Sequence, residues 1–106
     1  MVFTMDEKRT FPRKQLNNMS VDISDGYGFY SGFIGDVSQS GLCLKHISIA
    51  LDDDLKRFTA VVSKKGTNFR MTVRPRWKNY NGYTKDIGVR IESPSSEWRK
   101  FVQELQ

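Results

Sequence analysis

The chain is poor in cysteine, histidine and proline and has no long apolar run, and each shortage excludes something. A single cysteine, Cys43, has no mate for an internal disulfide, so nothing ties the fold to an oxidising compartment. Flanked by Leu42 and Leu44, it reads as a buried, inert thiol. The sole histidine, His46, has no second His, Cys or Glu at metal-ligand spacing, so neither a metal centre nor a histidine base is expected. No P-loop, dinucleotide fingerprint or nucleophile elbow is present, and no enzymatic activity is expected. No apolar stretch approaches the roughly 18 residues of a membrane span. The first residues lack the charged-then-apolar pattern of a secretory signal. These absences lead us to expect a cytoplasmic protein without a membrane partner.

What is present suits one small domain. The 106 residues are 38% hydrophobic and 27% charged, a globular balance that can bury a modest core without staples. The net charge of +5 favours an anionic partner: a nucleotide, a nucleic acid or an anionic surface. Residues 1–18 are polar and basic, with Lys8, Arg9, Arg13 and Lys14, and Pro12 removes a backbone donor among them. They read as an extended arm, and residues 19–106 as the folded domain.

From Met19 the hydrophobic pattern has period two. Met19, Val21 and Ile23 alternate with Ser20, Asp22 and Ser24, as in a half-buried strand. Asp25-Gly26 marks a turn, and an aromatic strand follows from Tyr27 to Ile34, with glycines that suit bends or bulges. Leu42–Ile47 and Phe58–Lys64 form the third and fourth strands. The fifth runs from Phe69 to Trp77. Strict alternation puts Met71, Val73 and Trp77 on one face and Arg70, Arg74 and Arg76 on the other. Pro75 marks this strand as an edge or a bulge. Asn81-Gly82 turns into a sixth strand, where Lys85, Ile87, Val89 and Ile91 share a face. The period then changes. Ser93 is a cap candidate, Pro94 suits the first helical position, and Trp98, Phe101, Val102 and Leu105 make one apolar helix face. The expected fold is all-β: a six-stranded antiparallel barrel with a basic N-terminal arm and a short C-terminal helix.

Two short patterns remain. Arg9-Thr10-Phe11-Pro12-Arg13 is an R-x-x-x-R, and Asp36-Val37-Ser38-Gln39-Ser40-Gly41 is a D-x-S-x-x-G. The second alone is an ordinary turn, in which Asp and Ser satisfy local backbone donors and Gly takes a positive φ. A second R-x-x-x-R, Arg70 to Arg74, lies within a strand. The combination says more. The first arginine pair precedes the first strand, and 22 residues separate Arg13 from Asp36. This arrangement resembles the PilZ domain family, and the resemblance runs from about Arg9 to Leu105. It extends to Gly88-Val89-Arg90-Ile91, where Ile91 stands in place of the family's usual aromatic, and to the closing helix.

The resemblance implies a receptor for the bacterial second messenger cyclic di-GMP, acting through a protein partner. It implies that Arg9 and Arg13 hold guanine edges and phosphates, that Asp36 and Ser38 hold a guanine, and that Gly41 shapes the loop. Lys8 resembles the extra cation of family members that take an intercalated pair of ligands. The chemistry is coherent. Arginine bonds in bidentate fashion to guanine O6 and N7, pairs with phosphate and stacks on bases. A carboxylate accepts from the opposite guanine edge. Two other readings stay open: a basic barrel that binds single-stranded nucleic acid, and a PilZ-like adaptor that does not bind the nucleotide. Against the first, alternation places Trp77 away from the arginine stripe.

Overall fold

The computed structural model describes residues 19–52 and 54–105. The arm 1–18, with Lys8, Arg9 and Arg13, lies outside the described residues. Within them run β1 (Met19–Ser24), β2 (Phe29–Val37), β3 (Gly41–Ser48), β4 (Phe58–Lys64), β5 (Thr67–Asn81), β6 (Thr84–Ile91) and α1 (Ser96–Leu105). The strands close into a barrel in the order β1-β2-β3-β6-β5-β4, and every pairing is antiparallel. Closure leaves no edge among the described strands, so the Pro75 signal resolves as a bulge.

Alternation fills the barrel. Val21, Ile23, Leu44, Ile47, Ala60, Val62, Val73 and Ile87 are all fully enclosed. Each large aliphatic among them contributes about 1.5–3 kcal/mol by leaving water. α1 plugs one end. Trp98 and Val102 are buried, and the rings of Trp98 and Phe101 meet Phe69 at centroid distances of 5.3 and 4.8 Å. The cap differs from expectation. The Trp98 N–H donates to Ser95 Oγ at 3.0 Å, and the Arg99 N–H donates to the Ser95 carbonyl at 3.0 Å. Ser95 is therefore the N-cap, and Pro94 stands before it. Ser93 has φ +49 and turns the chain off β6 instead.

The opposite end is held by two buried acids. Asp25 Oδ1 accepts the N–H groups of Tyr27 and Gly28 at 2.8 and 3.0 Å, and Oδ2 that of Asp52 at 3.1 Å. These backbone donors, Asp52 foremost, hold its carboxyl below the usual aspartate range. Burial pushes Asp86 up, but bonds from Lys45 Nζ at 3.0 Å and the His46 N–H at 3.3 Å outweigh it and leave its carboxyl lowered. Lys85, also enclosed, donates to the Leu51 carbonyl at 2.7 Å.

Two of the three register shifts among the described strands decide which side chains reach the outer wall beside the β2–β3 turn. In β2 the register slips between Ile34 and Asp36, leaving Gly35 as the extra residue. In β5 it slips between Pro75 and Trp77, leaving Arg76 as the extra residue. Each inserted residue reverses the face on which the next side chain emerges.

Candidate functional site

Asp36 emerges on the outer face because of the Gly35 bulge. Ile34 before it faces the core, and Val37 after it packs against the core. Asp36 pairs with Cys43 on β3, Cys43 with Gly88 on β6, and Gly88 with Trp77 on β5. One register row therefore runs across four strands of the outer surface: carboxylate, thiol, glycine, indole.

The row has a shape. A Cβ placed on Gly88 would lie 2.1 Å from Trp77 Nε1 and 2.2 Å from Cε2, so the indole rests directly on the bare backbone of β6. Trp77 is nevertheless 50% exposed. The result is an aromatic platform beside a shallow cleft of about 290 Å³, which Asp36, Ser38, Gly41, Cys43 and Arg76 also line.

The turn from β2 to β3 forms one wall. The Ser38 N–H donates to the Gly41 carbonyl at 2.9 Å, and the Ile91 N–H donates to the Ser40 carbonyl at 2.8 Å. From below, the buried Trp98 Nε1 donates to the Ser38 carbonyl at 3.3 Å. The turn is thus tied to both β6 and α1. The Ser38 hydroxyl donates to the Gly41 carbonyl at 3.4 Å, rather than accepting from a backbone donor.

Three expectations need correction here. Gly41 does not have a positive φ; the glycines that do are Gly26, Gly66 and Gly82. Gly41 opens β3 opposite Arg90, and a Cβ there would come within 3.2 Å of the Val89 carbonyl oxygen. Close backbone approach, not turn geometry, is what crowds a side chain at this position. Cys43 is half-buried and lines the cleft, because Leu42 and Leu44 take the inward positions. Trp77 does not share the inward face of Val73, which is fully buried. The Arg76 bulge turns the indole out, onto the face that carries Arg74 and Arg90.

Asp36, Ser38 and Gly41 therefore come together at one cleft, and Lys8, Arg9 and Arg13 lie outside the described residues. Sequence reasoning missed Trp77 and Arg76 as members of the site. The available signal was Pro75: a bulge there inverts the alternation beyond it. His46, at φ +61 in a β3 irregularity, sets its ring against Phe33 at 5.8 Å. Among the described residues, no group of three or more His, Cys, Asp or Glu could hold a metal ion. No helix among them is long and apolar enough to cross a membrane.

Fold and site define a class: a small closed β-barrel with a shallow cleft on its outer wall, beside a structured polar turn. The PilZ domain profile matches residues 7–105, and the chain belongs to that family. The match takes in Lys8, Arg9 and Arg13 as well as the D-x-S-x-x-G turn. No significant match was found among curated proteins or among solved structures.

Proposed function

We propose that this chain is a non-catalytic, cytoplasmic receptor for cyclic di-GMP that signals through a protein partner. The observation that carries the reading is the row from Asp36 to Trp77. A guanine stacked on the indole, which itself covers Gly88, would reach across the cleft above Cys43. Its N1–H and N2–H₂ edge would then point toward the Asp36 carboxylate, an acceptor of the right kind. The Ser38 hydroxyl lies on the same wall. In this reading Arg9 and Arg13 close over the ligand from the arm, taking O6 and N7 of guanine and the phosphates. Lys8 would offset the charge of a second, intercalated ligand.

A second reading gains from the geometry. With Trp77 on the arginine face, a stacking ring and cations do stand together, as single-stranded nucleic acid requires. Calorimetry with cyclic di-GMP, cyclic di-AMP and a short single-stranded oligonucleotide separates the two. Guanine-selective binding of the cyclic dinucleotide is the expected result. Preference for the oligonucleotide, with a steep salt dependence, would replace it with the second reading.

A further inference from the structure

Beside the candidate nucleotide cleft, the next register row on the outer wall is almost wholly cationic. Gly41 pairs with Arg90, and Arg90 with Arg74. Two like charges thus stand directly opposite each other across neighbouring strands, an arrangement that costs stability. Arg57 adjoins them at the head of β4, and Arg99 approaches from α1. Together with Glu92 and the 93–94 corner, these four arginines line a groove of about 690 Å³. A contiguous depression adds Lys56 and Arg76.

Among the described residues, one carboxylate serves this surface. Glu92 Oε2 accepts from Arg57 Nε at 2.8 Å and from Arg74 Nε, and these guanidinium bonds hold its carboxyl below the usual range. Arg76, Arg90 and Arg99 have no acidic partner among the described residues. The groove therefore already holds one carboxylate in the guanidinium geometry that suits it, and carries cations in excess.

We infer that this groove is a docking site for an acidic segment of a partner protein, whose Asp or Glu side chains take Arg90 and Arg99 and compete with Glu92 for Arg57 and Arg74. Charge complementarity identifies the occupant, and the lining refines it. Gln39, Ser40, Ile91, Ser93 and Pro94 complete the walls, with no aromatic ring among the described lining residues. A nucleic acid would find phosphate sites here but no base platform; Trp77 serves the adjoining cleft. The excess of cations stands whether or not that cleft takes a nucleotide.

The test uses the full chain and a short fluorescent oligoglutamate peptide, followed by polarisation at low and moderate salt. Arg90→Gln and Arg99→Gln should each weaken peptide binding about tenfold, the loss of one charge-assisted contact. Lys65→Gln, which removes the same charge at the distant β4–β5 turn, should leave binding within twofold. Glu92→Gln should tighten binding by removing the internal competitor. Equal losses in Arg90→Gln and Lys65→Gln would overturn the proposal, leaving only general attraction to a basic protein. An oligothymidylate that binds more tightly than the peptide, with the same variants affected, would overturn it in favour of nucleic acid. Cyclic di-GMP titrations of the same variants keep the two sites apart. Unchanged nucleotide affinity in Arg90→Gln supports a separate groove, and a parallel loss would assign the groove to the nucleotide site.

Discussion

At the scale of single residues, the site depends on small positions as much as on functional ones. Gly88 has no chemistry to offer, yet the indole of Trp77 can lie flat only because β6 has no side chain there. Gly88→Ala should therefore lift the ring without unfolding the barrel. The expected result is a shifted tryptophan emission and cyclic di-GMP affinity reduced to the level of Trp77→Ala, about 1–3 kcal/mol for one stacked base. Wild-type affinity in Gly88→Ala would show that no base rests on the platform. Asp36→Ala should lower affinity and narrow the preference for guanine over adenine, because the acceptor for the guanine edge is gone. In the arm, Arg9→Ala and Arg13→Ala should each cost about 2–4 kcal/mol of binding. Arg70→Ala should cost far less, since Arg70 lies on the barrel wall at the far side of β5 from the cleft. A larger loss at Arg70 would make Arg70 and Arg74 the working pair in place of Arg9 and Arg13.

At the scale of elements, α1 does more than close the barrel, because its Trp98 holds the β2–β3 turn by the carbonyl of Ser38. Trp98→Phe keeps an aromatic ring against Phe69 and Phe101 but removes that donor. It should cost about 1 kcal/mol in unfolding experiments and should also weaken nucleotide binding by loosening Ser38; unchanged affinity would disconnect the helix from the site. The six strands and the helix are legible in the sequence because alternation and turn signals such as Asp25-Gly26 and Asn81-Gly82 agree with the closed barrel. What alternation cannot carry is a slipped register. Counting through β5 without the extra residue Arg76 puts Trp77 inside, and that one error hides the aromatic half of the cleft. Sequence pattern misplaces the helix start by two residues for a related reason. Both Ser93 and Ser95 can cap, and the positive φ at Ser93 together with the Trp98 N–H bond to Ser95 Oγ decides between them. The half of the site formed by Asp36, Ser38 and Gly41 is legible because it is contiguous in sequence. The half formed by Arg76, Trp77 and Gly88 depends on pairing between strands, which local pattern does not encode.

At the scale of the whole molecule, the chain carries a net charge of +5 while three of its acids are held ionised by structure. Asp25 is held by backbone donors with Asp52 foremost. For Asp86, burial works against ionisation, and Lys45 and the His46 N–H overcome it. Glu92 is held first by Arg57 and then by Arg74. All three carboxyls are lowered in the folded state, so the unfolded chain binds protons more readily in acid. Their stabilisation is fully present above the ordinary carboxylate range and is lost as the pH falls through the lowered values. Protonation also adds positive charge to a molecule already rich in it, which compounds the loss. The thermal midpoint should therefore stay nearly flat across neutral pH and fall steeply below about pH 4. Lys45 acts at the other limit. Its bond to Asp86, followed by that charge, raises its ammonium above the usual lysine value, so its contribution is complete below that value and disappears only as the pH rises through the raised one. Asp86→Asn should lower the neutral midpoint by removing the charge that Lys45 faces, and the variant's midpoint should fall less between neutral pH and acid than the wild type's. The Asp25→Asn variant should behave in the same way, because an amide oxygen still meets some of the donors but no longer titrates. Thermal melts of the three proteins from about pH 3 to about pH 8 span the carboxylate range and test this directly. Parallel curves, with variants displaced by the same amount at every pH, would show that these carboxylates stabilise the barrel by packing and hydrogen-bond geometry alone, without the linkage to protons that their surroundings imply.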